Sequence, residues 1–444
     1  MLRDDERHLE RDDSASRPRI VILGGGFAGI AAAQALEGSG ARILILDGQN
    51  HHCFQPLLYQ VATGALAATD IAWPIRYVMR NRNDVTVLML EAEGVDPSLK
   101  LVKTRDGELP YDYLIIATGS RHSYFGHDAW AEDAPGLKTV EDAIVVRGRL
   151  LRAFEQAEAC VDPGQYEKLL TFIIIGGGPT GVELAGAIAE VARRTLPTEF
   201  RRADPRDARI ILLEAGPRIL PSFPERLSNY ALEALNKMGV DVRTQTAVEA
   251  VSPSRVMAAE KAIDAGAIFW AAGVKASPAA QWLGVASDPS GRISVGPDLT
   301  VPNCPDVHIV GDLARVIEAD GSPVPQLAAS AKQMGRYAGG SIKRRLRGQR
   351  ARKPFRYRDQ GSLATIGRNS AIVKLGRLEL TGVVGWLFWS AVHVYFLINL
   401  RSRLLVAMSW VAAYVTYHRG ARIIINEPHA ATKKSRKDPP TAKR

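Results

Sequence analysis

Two short glycine runs carry the clearest chemistry in this chain of 444 residues. The first is Gly24-Gly25-Gly26-Phe27-Ala28-Gly29 and the second Gly176-Gly177-Gly178-Pro179-Thr180-Gly181. Both have the form GxGxxG. Gly24, Gly26 and Gly29, and again Gly176, Gly178 and Gly181, permit a tight turn, close approach of backbone to a pyrophosphate, and close helix–strand packing. An acid follows each run: Asp47 lies 18 residues past Gly29, and Glu214 lies 33 past Gly181. A carboxylate there can accept hydrogen bonds from ribose hydroxyls. The expected chemistry is the binding of two dinucleotides. Metal and thiol chemistry find no comparable pattern. The three cysteines, Cys53, Cys160 and Cys304, form no CxxC, which argues against a disulfide scaffold, a thiolate zinc site and a dithiol centre. The nine histidines show no HExxH, and only His51 and His52 adjoin, so no metal site is expected.

Such loops need a strand before them and a helix after. Residues 19–24, RIVILG, form an apolar run closed by glycine, as in a buried parallel strand. IAAAQALEG (30–38) reads as the helix and RILILD (42–47) as the next strand. The pattern recurs as TFIII (171–175), VELAGAIAEVARR (182–194) and RIILLE (209–214). The Pro- and charge-rich stretch 195–208 accounts for the longer second interval. YDYLIIATGS (111–120), AIFWAAG (267–273) and VHIVGDLA (307–314) are further strands. Ligands of open α/β sheets collect at the carboxyl ends of strands. Thr118, Gly119, Gly273 and Asp312 are therefore expected to face a cofactor. A helix is expected over 326–348 and strands over 355–376. The fold class is α/β: two Rossmann-like dinucleotide-binding domains plus a C-terminal membrane-associated α-helical region.

The net charge of +10 is unevenly placed. From residue 341 onward there are 22 Lys and Arg against 4 Asp and Glu, while residues 1–340 hold 35 against 43. A mildly acidic body with a strongly basic end points to a polyanionic partner surface. Residues 382–400, GVVGWLFWSAVHVYFLINL, contain no Asp, Glu, Lys or Arg; Arg401-Ser402-Arg403 and then LLVAMSWVAAYVTYH (404–418) follow. Nineteen residues are the lower limit for crossing ~30 Å of hydrocarbon. The aromatics Trp386, Trp389, Tyr395, Trp410, Tyr414 and Tyr417, flanked by arginines, suit a headgroup boundary. Two amphipathic helices lying in one leaflet are the favoured reading, over a span and over a buried core or dimer pair. A lipid surface is thus the expected partner and nucleic acid is not. The opening MLRDDERHLERDD has no apolar core, so no secretory signal is expected.

At this point the chain resembles the type II NADH dehydrogenases, the single-subunit NADH:quinone oxidoreductases, over residues 19–425. The most specific pieces are 52–64 (HCFQPLLYQVATG), 178–186 (GPTGVELAG) and 214–221 (EAGPRILP). The resemblance implies that the first loop, with Asp47, binds FAD, that Thr118, Gly119 and Asp312 border its pyrophosphate and ribityl chain, and that Gln55, Pro56 and Ala92 complete the cofactor-binding set. It implies that the second loop binds NADH, with Glu214 on the adenosine ribose. A carboxylate there repels a 2′-phosphate, although Arg218 stands near. It further implies a non-proton-pumping transfer to a membrane quinone. The implied domains are an N-terminal tail (1–17), an FAD-binding domain (18–135 and 300–348), an NADH-binding domain (136–299), a membrane-association region (349–425) and a basic tail (426–444). The implied location is peripheral, on the cytoplasmic face of the cell membrane, with a second copy of the chain as a candidate partner. Alternatives are a sulfide:quinone or ferredoxin-type reductase, for which paired cysteines are lacking, and a membrane-associated flavin redox sensor.

Two residues are candidates for catalysis. Glu183 falls in the first turn of the second helix, where an acid is favoured by the helix dipole alone; the resemblance implies that it faces the nicotinamide and flavin and assists proton delivery to quinone. Gln333 matches a glutamine of the family's quinone motif on the helix after Asp312, and is either an ordinary helical glutamine or a hydrogen-bond donor to quinone or flavin; Ala329 and Met334 depart from that motif. His393 is expected to pack at the interface rather than hold quinone, and Cys53 to pack.

Overall fold

In the computed structural model, residues 17–318, 320–416 and 420–425 are described. The expectations for the two termini, and for Tyr417, fall outside them. Two sheets dominate, parallel except for one edge strand of the first. The first is built from β1 (Arg19–Leu23), which leads into helix α1 (Phe27–Ala35), then β2 (Arg42–Asp47), β3 (Val85–Met89) and β4 (Tyr113–Ile116). Helix α2 (Val140–Ala159) connects to the second sheet, which holds β5 (Thr171–Ile175), followed by helix α3 (Pro179–Glu190), then β6 (Arg209–Leu213), β7 (Val240–Arg243) and β8 (Ala267–Trp270). The chain then returns to the first sheet through β9 (Thr300–Val301) and β10 (Cys304–Ile309).

The strand orders are β9-β10-β4-β1-β2-β3 and β8-β5-β6-β7. The second repeats the β4-β1-β2-β3 core of the first. Register is set by runs of branched apolar residues: Ile20 lies opposite Ile43 and Tyr113, and Ile173 opposite Ile211 and Ile268. These strands are covered on both faces, and Ile20, Ile22, Ile173 and Ile174 have no exposed surface. In each unit a three-stranded antiparallel meander precedes the strand that leads to Thr118 or Gly273. Ser120–His122 pairs antiparallel with Val274–Ala276, joining the two units.

Helix α4 (Ala328–Leu346) lies close against α1, within the expected 326–348. Glycine makes the approach possible. A Cβ on Gly335 would stand 2.1 Å from the Ala28 carbonyl oxygen, and one on Gly339 would stand 2.5 Å from that of Ala32. Of the strands expected over 355–376, β11 (Ser362–Thr365) and β12 (Ala371–Leu375) form, joined by β13 (Leu378–Thr381). Residues 351–361 form none. Side chains of α4 hold this segment instead: Gln333 bonds both backbone groups of Arg358, and Tyr337 donates to the Lys353 carbonyl. A π-helical turn, Val191–Thr195, ends α3, and the 195–208 excursion that follows holds two short 3-10 turns.

The apolar C-terminal region forms α5 (Gly382–Phe396) and α6 (Leu400–Thr416). The break comes at Leu397–Asn399, earlier than the arginines suggested. Asn399 causes it, because its Oδ1 accepts the Ser402 N–H and starts a new helix. At 1.5 Å per residue, α5 is about 22 Å long, short of ~30 Å of hydrocarbon. Among the described residues no helix is long and apolar enough to cross a membrane. One side of the pair belongs to the core, where Trp389, Leu397 and Val406 pack with Phe54, Leu57 and Tyr59. The other side leaves Val384, Leu387, Tyr395, Leu400, Leu404, Met408 and Val411 exposed.

Candidate functional site

The first glycine loop is shaped by contacts that tolerate no side chain. Gly24 has φ +102, and a Cβ there would meet the Ala117 carbonyl oxygen at 2.4 Å; a Cβ on Gly29 would meet that of Gly24 at 1.8 Å. A Cβ on Gly26 would meet nothing within 4 Å, because Gly26 opens onto a cleft. Asp47 fastens the loop. Its Oδ2 accepts the Gly25 N–H at 2.6 Å and its Oδ1 the Gln49 N–H at 2.7 Å. Burial raises its pKa above the usual range against these two bonds. No side chain caps α1 and no acid lies in its first turn, so its N–H groups and partial positive charge are available to an anion. The cleft, of about 410 Å³, is lined by Gly24, Gly26, Asp47, Gln55, Ala92, Thr118, Gly119 and Asp312. Uncapped amides, a carboxylate beyond them and a cleft between strand ends fit an adenine dinucleotide.

The second loop repeats the construction. Gly176 has φ +111, and its Cβ would meet the Ala272 Cα at 2.5 Å; a Cβ on Gly181 would meet the Gly176 oxygen at 1.9 Å, while Gly178 is open. Glu214 Oε2 accepts the Gly177 N–H and Oε1 the Gly216 N–H, both at 2.6 Å. Arg218 donates to the Pro221 carbonyl. Gly273 lies just past β8, where a Cβ would meet the Phe125 ring at 2.9 Å; it lines neither cleft described here.

A second cleft, about 540 Å³, adjoins the first; the two share Gln55, Lys138, Asp312 and Ala331. Pro56 and Glu183 line the second, with Pro179 and Thr180 from the second loop, Lys332 from α4, and Val392, His393 and Phe396 from α5. At the junction Asp312 accepts from Ser120 Oγ at 2.6 Å and pairs with Lys138 at 3.5 Å. Glu183 accepts the Thr365 N–H at 3.3 Å, a bond reaching from α3 to the C-terminal sheet. Burial pushes its pKa up to about 8 against that bond, so at neutral pH the carboxyl holds a proton. His393 donates from Nδ1 to the Trp389 carbonyl at 2.8 Å and stacks on Trp389 at 4.0 Å; burial pushes it down to about 4. It both packs, as expected, and borders the cleft.

Gln333 is placed differently from the expectation. Its amide is used at both ends by the Arg358 backbone, and it does not line the cleft. The neighbouring Lys332 does, and sequence reading missed it, as it missed Lys138 and Thr365. Cys53, Cys160 and Cys304 are free thiols on separate elements.

Residues 18–335 match the pyridine nucleotide-disulphide oxidoreductase family, and 360–416 match the NDH2 C-terminal domain. The chain is 40% identical to the type II NADH:quinone oxidoreductase Ndh of Mycobacterium tuberculosis, over 93% of this chain and 91% of the relative. It is 41% identical to NdhA of the same organism, over 93% and 90%. Among solved structures, NDH2 from Plasmodium falciparum in complex with NADH aligns with TM-score 0.83 at 20% identity, covering 92% of this chain and all of that one. A sulfide:quinone oxidoreductase from Aquifex aeolicus aligns with TM-score 0.70 at 19% identity, over 87% and 92%, a likeness of fold. With this sequence identity across nearly its whole length and a matching C-terminal domain, the chain belongs to the type II NADH:quinone oxidoreductase family.

Proposed function

We propose that this chain oxidises NADH and passes the electrons through a bound FAD to a membrane quinone, without moving protons across the bilayer. The observation that carries this reading is the junction of two clefts at Gln55, Lys138, Asp312 and Ala331, the second bordered by the apolar helix α5. When bound, FAD supplies the hydride acceptor and the electron relay. Everything else is asked of the protein. The proposed FAD-binding domain, 18–135 and 300–348, would hold the dinucleotide with Gly24, Gly26, Gly29 and Asp47 at its adenosine half. Gln55, Pro56, Ala92, Thr118, Gly119 and Asp312 would border the remainder. The proposed NADH-binding domain, 136–299, would use Gly176, Gly178, Gly181 and Glu214, with Gly273 just past the end of β8.

Glu183 is proposed to act as a neutral, protonated acid facing the cleft. Gln333 is proposed to act indirectly, by tying 351–361 to α4 and so holding one wall of the cleft. Residues 349–425 are the proposed membrane-association region, on the cytoplasmic face of the cell membrane. The exposed apolar residues of α5 and α6 support the membrane association, as do Arg403, 5.5 Å from the Tyr395 ring centroid, and Arg401, 5.9 Å from that of Trp73. Such residues suit a surface where apolar bodies sink and cationic heads stay wet.

The test is direct. The purified chain should carry flavin absorbance and oxidise NADH when given either ferricyanide or a short-chain quinone. Flavin-free protein that gains no absorbance on adding FAD refutes the cofactor assignment. Turnover with ferricyanide but with no quinone refutes the acceptor.

A further inference from the structure

We propose that Lys332 is the acid that meets the quinone: its ammonium holds one carbonyl oxygen of the substrate and gives that oxygen a proton as the quinone becomes a quinol. This deepens the function proposed above and rests on it. Lys332 lies in the second turn of α4 and lines the second cleft beside Ala328 and Ala329, which are too small to cover it. Its Nζ stands 5.2 Å from the Phe27 ring centroid and 4.9 Å from that of Phe396, between rings brought by α1 and α5. Among the described residues no carboxylate forms an ion pair with it. A partly buried ammonium held only by two ring faces has donors left for a ligand. The ligand suited to this cleft is planar and apolar with a carbonyl at one edge, since Phe54, Leu58, Leu363 and Val392 form its walls.

The charges around Lys332 favour release of a proton. Arg336 on its own helix, Arg403 on α6 and His52 beside β2 all lie within electrostatic reach. Glu183 on α3 and His393 on α5 line the same cleft, whereas Lys138 and Asp312 pair with each other at the junction. Burial first, then Arg336 and Arg403, push Lys332 down to about 8. It is therefore charged at neutral pH and can still part with its proton. The balance closes on one proton. NADH delivers a hydride, two electrons and one proton, so a quinone needs one proton more to become a quinol. The Lys332 N–H bond breaks as the quinol O–H bond forms, and the neutral amine regains its proton from water.

The experiment uses the full-length, flavin-loaded chain and the variants Lys332→Met and Lys332→Arg, each checked for flavin absorbance. Ferricyanide takes electrons without protons, so the ratio of quinone to ferricyanide turnover isolates the step. That ratio should fall about a hundredfold in Lys332→Met, the low end of general acid catalysis. In a Glu183→Gln background, which removes the other acid of the cleft that titrates near 8, quinone turnover should decline as pH rises through about 8, and this limb should vanish on adding Lys332→Met. Lys332→Arg stays charged throughout; it should keep the quinone KM within a few-fold while losing kcat. Independently of turnover, acetic anhydride labelling read by peptide mass spectrometry should give Lys332 a reactivity midpoint near 8, with protection by added quinone. A ratio within threefold of wild type in Lys332→Met, or a labelling midpoint matching surface lysines, overturns the proposal. If the wild type itself fails with quinone, the acceptor assignment falls and this proposal with it; if only the variants are tested equal to a working wild type, this proposal falls alone.

Discussion

Glu183 should weaken the fold it belongs to, and the cost can be worked out. Its carboxyl ionises at about 8 instead of its ordinary 4.5 because burial removes it from water and one bond, from the Thr365 amide, does not compensate. Below pH 4.5 folded and unfolded chains are both protonated and the residue is neutral to stability. As pH rises the unfolded chain gives up the proton first, so stability is lost progressively until the folded group also ionises near 8. At 1.36 kcal/mol per pH unit this amounts to about 1 kcal/mol at pH 5, about 3 at pH 7 and about 5 at pH 9. Glu183→Gln removes the titration and keeps the shape. The variant should therefore gain stability relative to wild type as pH rises, by about 2 kcal/mol between pH 5 and pH 7, whatever constant offset the amide introduces. Urea denaturation at several pH values, comparing midpoints at equal m, measures this difference. A stability difference that is flat from pH 5 to pH 9 would falsify the claim that Glu183 is protonated in the folded chain at neutral pH.

Three further outcomes are expected. Glu214→Gln should narrow the preference for NADH over NADPH, since the repulsion of a 2′-phosphate goes. It should also raise the KM for NADH, because the loop amides of Gly177 and Gly216 both bond that carboxylate; unchanged constants for both nucleotides would show that Glu214 does not face the ribose. Gly335→Ala drives a methyl into the Ala28 carbonyl, so α4 must move off α1. An overpacking loss of about 1–3 kcal/mol is expected, with a lower flavin-to-protein ratio, and full flavin content at wild-type stability would count against the packing argument. Leu404→Glu with Met408→Glu puts charge on the exposed face of α6, and should abolish sedimentation with anionic phospholipid vesicles while ferricyanide turnover persists. Unaltered sedimentation would mean that the face does not meet lipid.

What the sequence disclosed follows from how each feature is made. Pyrophosphate loops are local: Gly24, Gly29, Gly176 and Gly181 are demanded by backbone a few residues away or by the next strand, so their spacing is visible in the chain itself. Asp47 and Glu214 are legible for the same reason. Thr118 and Asp312 could be read because strand ends in such sheets converge on the ligand. Lys332 and Lys138 could not. What makes them distinctive is a pair of rings 305 and 64 residues away from Lys332, Phe27 and Phe396, and a partner at Asp312, none of which any periodicity records. Gln333 reads as a candidate donor because a glutamine on the helix after Asp312 looks the same in one dimension whether it meets a ligand or, as here, the backbone of Arg358. Residues 355–361 alternate as a strand would, yet no partner strand reaches them. The turn between α5 and α6 was set two to four residues late because two arginines are conspicuous and a capping asparagine is not.

The burial of Trp389, at 1% exposure, and the bond from Trp410 Nε1 to Gln60 Oε1 at 2.7 Å bear on how this enzyme can be handled. Gln60 in turn donates to the Tyr59 hydroxyl at 2.8 Å, and Tyr59 lines the cleft. The helices proposed to meet lipid are thus also masonry for the cleft, α5 by lining it and α6 by bracing Tyr59 through Gln60. A detergent-free form cannot be made by cutting the chain before Gly382, since the cut would strip a wall from the cleft and bare the apolar surface beneath. Repainting the outer face with acidic side chains, while leaving Trp389, Leu397, Val406 and Trp410 in place, is the route by which the molecule can be brought into water intact.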